Sequence, residues 1–215
     1  MRRDLQQTFS DATWARPRRG VPRSGPGSTL EHTALLRDAL PDLLRRHGVS
    51  SLLDAPCGDW TWMREVDLAG VHYTGLDIVP AIVEANRNAF GGEAVAFAVA
   101  DLTSDPLPRA DLLLCRDCLF HLVFDLRWAF FENFLASGTP LLLTTTYSNP
   151  RNRVLEKNGD FQFFNMTAPP FSFPEPLERI EDDKPGRRSR FARFMGLWHR
   201  DQIAARLKEV ARERG

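Results

Sequence analysis

Leu52-Leu53-Asp54-Ala55-Pro56-Cys57-Gly58-Asp59-Trp60-Thr61-Trp62-Met63 is the stretch whose reading decides the fold. Residues 51–54 form a short apolar run that ends on an acid, Asp54, and the turn after it holds Gly58. A glycine there lets backbone approach a ligand closely. The turn predicts a helix over 60–67, whose first N–H groups have no partner within the helix. Twenty residues on, Tyr73-Thr74-Gly75-Leu76-Asp77-Ile78 repeats the arrangement. A strand over 71–77 closes on Asp77, 23 positions after Asp54. An acid at the end of a second strand, about 20 residues past the first turn, is placed to bond ribose hydroxyls.

Working outward, three more apolar runs read as strands, at 94–98, 110–115 and 140–146, with helical stretches at 79–89 and 125–136. Strands that alternate with helices predict crossover connections and a parallel sheet. The fold class is therefore α/β: a doubly wound (Rossmann-like), mainly parallel sheet with helices on both faces. Segments 177–183 and 191–198 predict a C-terminal antiparallel strand pair, and Ile203, Leu207 and Val210 predict a closing helix over 200–213. Upstream, Ser28 and Glu31 match a capping box, and Leu36, Leu40, Leu43 and Leu44 follow at helical spacing, with Gly48 as the stop. Pro41 predicts a kink in that helix. Residues 1–27, rich in Gly, Pro, Ser and Arg, read as an extended N-terminal arm. Residues 147–176 carry five phenylalanines and no clear period, and read as a lid or substrate wall. The whole, 1–215, reads as one domain.

Composition narrows the function classes. Lys plus Arg and Asp plus Glu are each 28, so the net charge is zero and no basic footprint marks a nucleic-acid partner or an anionic membrane. Two local basic stretches, around Arg16–Arg23 and Lys184–Arg190, read as solvated charge. No apolar run approaches the ~20 residues of a membrane span, and the first residues lack a secretion signal. Three cysteines at irregular spacing argue against a disulfide framework and for a reducing, cytoplasmic setting.

Ligands of such sheets bind past the carboxyl ends of the strands. Asp101 and Leu102 follow the third strand there, and Arg116, Asp117 and His121 follow the fourth, in Cys115-Arg116-Asp117-Cys118-Leu119-Phe120-His121-Leu122. Together with the first two stretches, these residues resemble the class I S-adenosylmethionine-dependent methyltransferases over about residues 24–200. The resemblance is narrower still to a bacterial subgroup with a D-x-P-C-G-D-x-x-W-M first motif, a G-x-D-I second and a C-R-D-x-L-x-H-L fourth. It implies S-adenosylmethionine as cofactor. The turn Asp54, Pro56, Cys57, Gly58, Asp59, Trp60 would hold its methionine part. Asp77 and Ile78 would take the ribose, and Asp101 and Leu102 would contact adenine. Arg116 and Asp117 would line the boundary between cofactor and acceptor. Pro56 and Trp60 stand where the usual motif has glycines. A pyrophosphate needs a close backbone approach there, so a dinucleotide is disfavoured.

Asp117 and His121 are the candidate catalytic residues, His121 read either as a general base or as packed core. Trp14, Ser28 and Thr29 are expected to fold over the cofactor. Asn152, Phe164, Asn165 and Phe171 are expected to form an aromatic, amide-bearing acceptor pocket. The spacing Cys115-x-x-Cys118-x-x-His121 is ligand-like, but a cysteine ending an apolar strand is more often core, and no metal is expected. The expected reaction is methyl transfer to an oxygen or nitrogen of a small molecule. Two alternatives stay open: other chemistry on the same cofactor that releases methylthioadenosine, and a non-catalytic binding module.

Overall fold

The computed structural model describes residues 2–12, 20–183 and 190–214. Their strands form one seven-stranded sheet in the order β3-β2-β1-β4-β5-β7-β6. These are β1 (Ser51–Asp54), β2 (His72–Asp77), β3 (Val95–Val99), β4 (Leu112–Cys115), β5 (Leu141–Tyr147), β6 (Glu178–Glu181) and β7 (Arg193–His199). The first five run parallel, and β7 pairs antiparallel with both β5 and β6. The expected C-terminal pair is present. The helices are α1 (Arg2–Ser10), α2 (Ala34–Arg46), α3 (Pro80–Phe90), α4 (Phe124–Ser137) and α5 (Arg200–Arg214).

Strand alternation divides the core between the two faces of the sheet. Leu52, Leu112, Leu114 and Leu143 pack on one face with Leu36, Leu40 and Leu43 of α2. Leu53, Leu113, Cys115 and Leu142 pack on the other with Phe130, Phe131 and Phe134 of α4. Successive side chains point to opposite faces, so the buried run Leu112-Leu113-Leu114-Cys115 of β4 serves both layers.

Three local expectations need correction. Residues 2–10 are helical rather than extended. Leu5 and Phe9, four apart, fall on one side of the helix, where Leu5 is buried and Phe9 packs against the same core. Ser28 is not a helix cap. It ends a 3-10 turn, Pro26–Ser28, and α2 begins at Ala34 after Thr33. The helix then runs through Pro41, which lies inside it. Finally, 60–67 holds only a one-turn 3-10 helix, Met63–Glu65. Trp60, Trp62 and Met63 are all buried there, and this segment turns its side chains into the core instead of winding further.

Candidate functional site

β1 connects to β2 on one side, and the chain later returns through β4 on the other, so the strand order reverses between β1 and β4. A cleft past the carboxyl ends of strands is the expected result at such a point. A cavity of about 990 Å³, counting its mouth, opens there.

Asp54 closes β1 and lines this cavity. Its carboxylate accepts the Tyr73 hydroxyl at 2.6 Å, and burial pushes its pKa up to about 7 against that bond, with Asp77 adding to the rise. Asp77 closes β2. Its two oxygens accept the backbone N–H groups of Val79 at 2.9 Å and Gly58 at 3.0 Å. Burial raises its pKa to about 6 although those bonds oppose it. Each carboxylate has about four acceptor positions. The Ile78 N–H also lowers the Asp77 pKa, and both carboxylates line the cavity. Gly58 has φ +56°, and a Cβ on it would sit 2.7 Å from the Ser24 Cβ. Only glycine lets the chain segment at Ser24 lie across the first turn.

Asp101 binds the N–H and hydroxyl of Thr103 through one oxygen. Leu102, with Ile78 from the end of β2, gives the same cavity apolar walls. Across β1, Arg116 and Asp117 follow β4. Asp117 has φ +54°, one of three such non-glycine residues among those described. Its N–H donates to the Thr145 hydroxyl at 3.0 Å. Burial works to raise the Asp117 pKa, but the Arg116 and Arg193 guanidiniums outweigh it and hold the carboxyl below its usual range. Asp117 is therefore a fixed anion, and a weak proton acceptor.

His121 lines the cavity as well. Its Nδ1 lies 2.7 Å from the Asp160 carbonyl oxygen. A carbonyl only accepts, so Nδ1 carries the proton and Nε2 is the basic nitrogen. Burial lowers the His121 pKa, although the Asp160 carbonyl and Asp117 oppose the shift, which favours the neutral ring near pH 7.

The cavity thus collects Ser28, Asp54, Pro56, Cys57, Gly58, Asp77, Ile78, Asp101, Leu102, Arg116, Asp117 and His121 from the sequence-based set. Other members of that set lie elsewhere. Asp59 faces the N-terminal segment, accepting the Ser24 hydroxyl at 2.7 Å and the Arg23 N–H at 2.6 Å. Trp60 packs among Tyr73, Phe90 and Phe97. Thr29 bonds within its own turn, to the Pro26 carbonyl. Trp14 falls outside the described residues, as do 184–189 of the second basic stretch.

The expected acceptor pocket is also corrected. Asn152 donates to the carbonyls of Asn165 and Ala168 and accepts the Asn165 N–H. Asn165 donates to the Asn149 carbonyl and accepts from Thr167. Both amides bridge the loop to itself. Phe164 and Phe171 are fully buried, and Phe171 stacks on Trp128 of α4 at 4.5 Å. These four residues hold the loop against the sheet and its helices.

Several lining residues escape a sequence reading. Leu5 and Phe9 of α1 and Trp62 face the cavity. The i, i+4 spacing of Leu5 and Phe9 was the available signal. Arg23 and Ser24 arrive through contacts with Asp59, 35 or more residues away, which no local pattern encodes. The cysteines are free and buried, and no described group of His, Cys, Asp or Glu could hold a metal.

No family model matches the chain, and no curated protein matches it in sequence. Solved structures do match. An S-adenosylmethionine-dependent methyltransferase of Leishmania major is 14% identical, and the match covers 91% of this chain and 82% of that one at a TM-score of 0.67. The chain has the class I methyltransferase fold. Magnesium protoporphyrin IX methyltransferase of Synechocystis PCC 6803, solved with S-adenosylmethionine bound, is 14% identical over 78% of this chain and 79% of that one, at 0.56. The 1,6-didemethyltoxoflavin-N1-methyltransferase of Burkholderia thailandensis, solved with its acceptor and S-adenosylhomocysteine, is 15% identical over 92% and 82%, at 0.52. At such identities the likeness is one of fold. Among the described residues no helix is long and apolar enough to cross a membrane.

Proposed function

We propose that this chain binds S-adenosylmethionine in the strand-end cavity and transfers its methyl group to an oxygen or nitrogen of a small-molecule acceptor. One observation carries the reading: acids from β1, β2, β3 and β4 converge on a single cavity with apolar walls. A phosphate-bearing cofactor fits less well. The first turn leads only into a 3-10 helix of three residues, not into a helix N-terminus that could cradle a pyrophosphate.

When bound, S-adenosylmethionine supplies an electrophilic methyl group. The protein's part is to hold the groups and to manage one proton. Asp77, which lines the cavity, would accept the ribose hydroxyls. Ile78 and Leu102 would flank the adenine, with Asp101 beside it. Asp117, kept ionised by two arginines, presents fixed negative charge to a cationic ligand. His121, neutral and oriented by the Asp160 carbonyl, takes the proton from an acceptor O–H or N–H. Helix α1 and the segment at Ser24 border the same space, which suits a small acceptor better than a polymer.

Calorimetry with S-adenosylhomocysteine tests the cofactor, and product analysis after incubation with S-adenosylmethionine and a panel of phenols and amines tests the reaction. S-Adenosylhomocysteine is the expected product. Methylthioadenosine would replace methyl transfer by other chemistry on the same cofactor, and tight binding without turnover would leave a binding module.

A further inference from the structure

We propose that Arg193 at the start of β7 and Asp182 just past β6 are positioning residues that aim the Asp117 carboxylate at the α-ammonium group of the bound cofactor. The inference rests on the cofactor reading above.

Four charged side chains meet beside the cavity. Arg193 Nη2 donates to Asp117 Oδ1 at 2.6 Å and to Asp182 Oδ2 at 2.7 Å. Arg116 donates to both oxygens of Asp182 through Nε, at 3.0 and 3.2 Å, and its Nη1 lies 3.4 Å from Asp117 Oδ2. Arg116 Nη1 also donates to the Gly27 carbonyl at 3.0 Å. Two guanidiniums and two carboxylates cancel, so the cluster tolerates burial. Its exposure is uneven. The side chain of Asp182 is 0% exposed, Arg116 3%, Arg193 11% and Asp117 23%. The member left open is Asp117, and it lines the cavity.

Asp117 needs this support. Its backbone sits at φ +54°, a region that strains a non-glycine residue. Thr145 and Arg193 bind its N–H and its carboxylate from β5 and β7 respectively. The space behind it is closed too, since a Cβ at Gly27 would fall 2.6 Å from Asp117 Oδ2. The carboxylate is thus fixed from the side of the antiparallel strands.

The strand order says which part of the cofactor it meets. A nucleoside held by Asp77 and Asp101 lies over β2 and β3. The amino-acid end must then extend across β1 toward β4, where Asp54 and Asp117 stand. Two acids there select the ammonium of that end.

S-Adenosylhomocysteine and methylthioadenosine separate this from a structural role, because only the first carries the amino-acid part. Asp117→Asn and Arg193→Met should each weaken S-adenosylhomocysteine about tenfold while methylthioadenosine changes less than about twofold. Arg193→Gln keeps a donor and should show the same split in a gentler form. It carries the test if Arg193→Met does not fold, since one-sided loss of a buried pair is costly. Equal loss of both ligands in the Arg193 variants makes the cluster a fold element only and overturns the proposal. So does unchanged affinity for both. Wild-type protein that binds neither ligand removes the cofactor reading itself.

Discussion

At the strand ends, Asp54 and Asp77 are buried carboxylates, the first bound by the Tyr73 hydroxyl and the second by backbone N–H groups of Gly58, Ile78 and Val79. In the loop between β5 and β6, Asn152 and Asn165 are buried amides whose groups are almost all taken by the loop's own backbone. Residue type and burial are similar in the two regions, but satisfaction differs. Burial without full satisfaction raises the pKa of Asp54 and Asp77, a cost that a ligand can relieve. Full satisfaction leaves nothing to offer a ligand. Polar residues near a cavity therefore need their hydrogen-bond capacity counted before a role is assigned.

This contrast can be broken by mutation. Phe171→Ala should have the largest effect, costing about 3–5 kcal/mol of stability, because the ring is fully buried against Trp128, Phe131 and Phe164. Urea denaturation measures it. A loss below 1 kcal/mol would return the loop's aromatics to the list of acceptor contacts.

Asn152→Ala should cost roughly 3 kcal/mol, since it strands two carbonyls and one N–H inside the loop. The folded fraction should keep wild-type affinity for S-adenosylhomocysteine by calorimetry. Weaker cofactor binding at full stability would reverse the comparison.

Asp77→Ala should act in the opposite way. It should weaken S-adenosylhomocysteine by about 1.5–3 kcal/mol, the range for hydrogen bonds to a charged group. Unchanged affinity removes Asp77 from the site.

The smallest effect is one of pH. Asp77 titrates near 6, so its carboxylate and the cofactor affinity should fade as pH drops below about 6. Stability should move the other way. The folded chain holds protons on Asp54 and Asp77 up to about 7 and 6, while the unfolded chain releases them near 3.8. Between about pH 4 and 7 these two groups therefore lower stability as pH rises, and above 7 their contribution is constant. Calorimetric affinity and denaturation midpoints over pH 5–8 check both signs. An Asp77→Ala protein whose affinity keeps the same pH slope would exclude Asp77 as its source.

Much of the fold was legible in the chain. β1 was read to the residue, and the ends of the other parallel strands to within one, because short leucine runs bounded by acids, Gly and Pro have a local cause. The acids at those ends were legible for the same reason: the residue after a parallel strand reaches the cleft whatever the rest of the chain does. Trp60 and Trp62 show the limit. They are two residues apart in one motif, yet Trp60 packs with Tyr73 and Phe97 while Trp62 faces the cavity.

The sequence by itself determined the α/β alternation, the acids at the strand ends and the absence of excess charge. Tertiary structure alone decided which polar residues stay unspent. Asn165 is bound by residues 13 to 16 positions away, and Asp117 by Arg193, 76 positions away. The physical reason is that strand position follows from local periodicity, whereas hydrogen-bond satisfaction depends on partners that only the folded chain brings together.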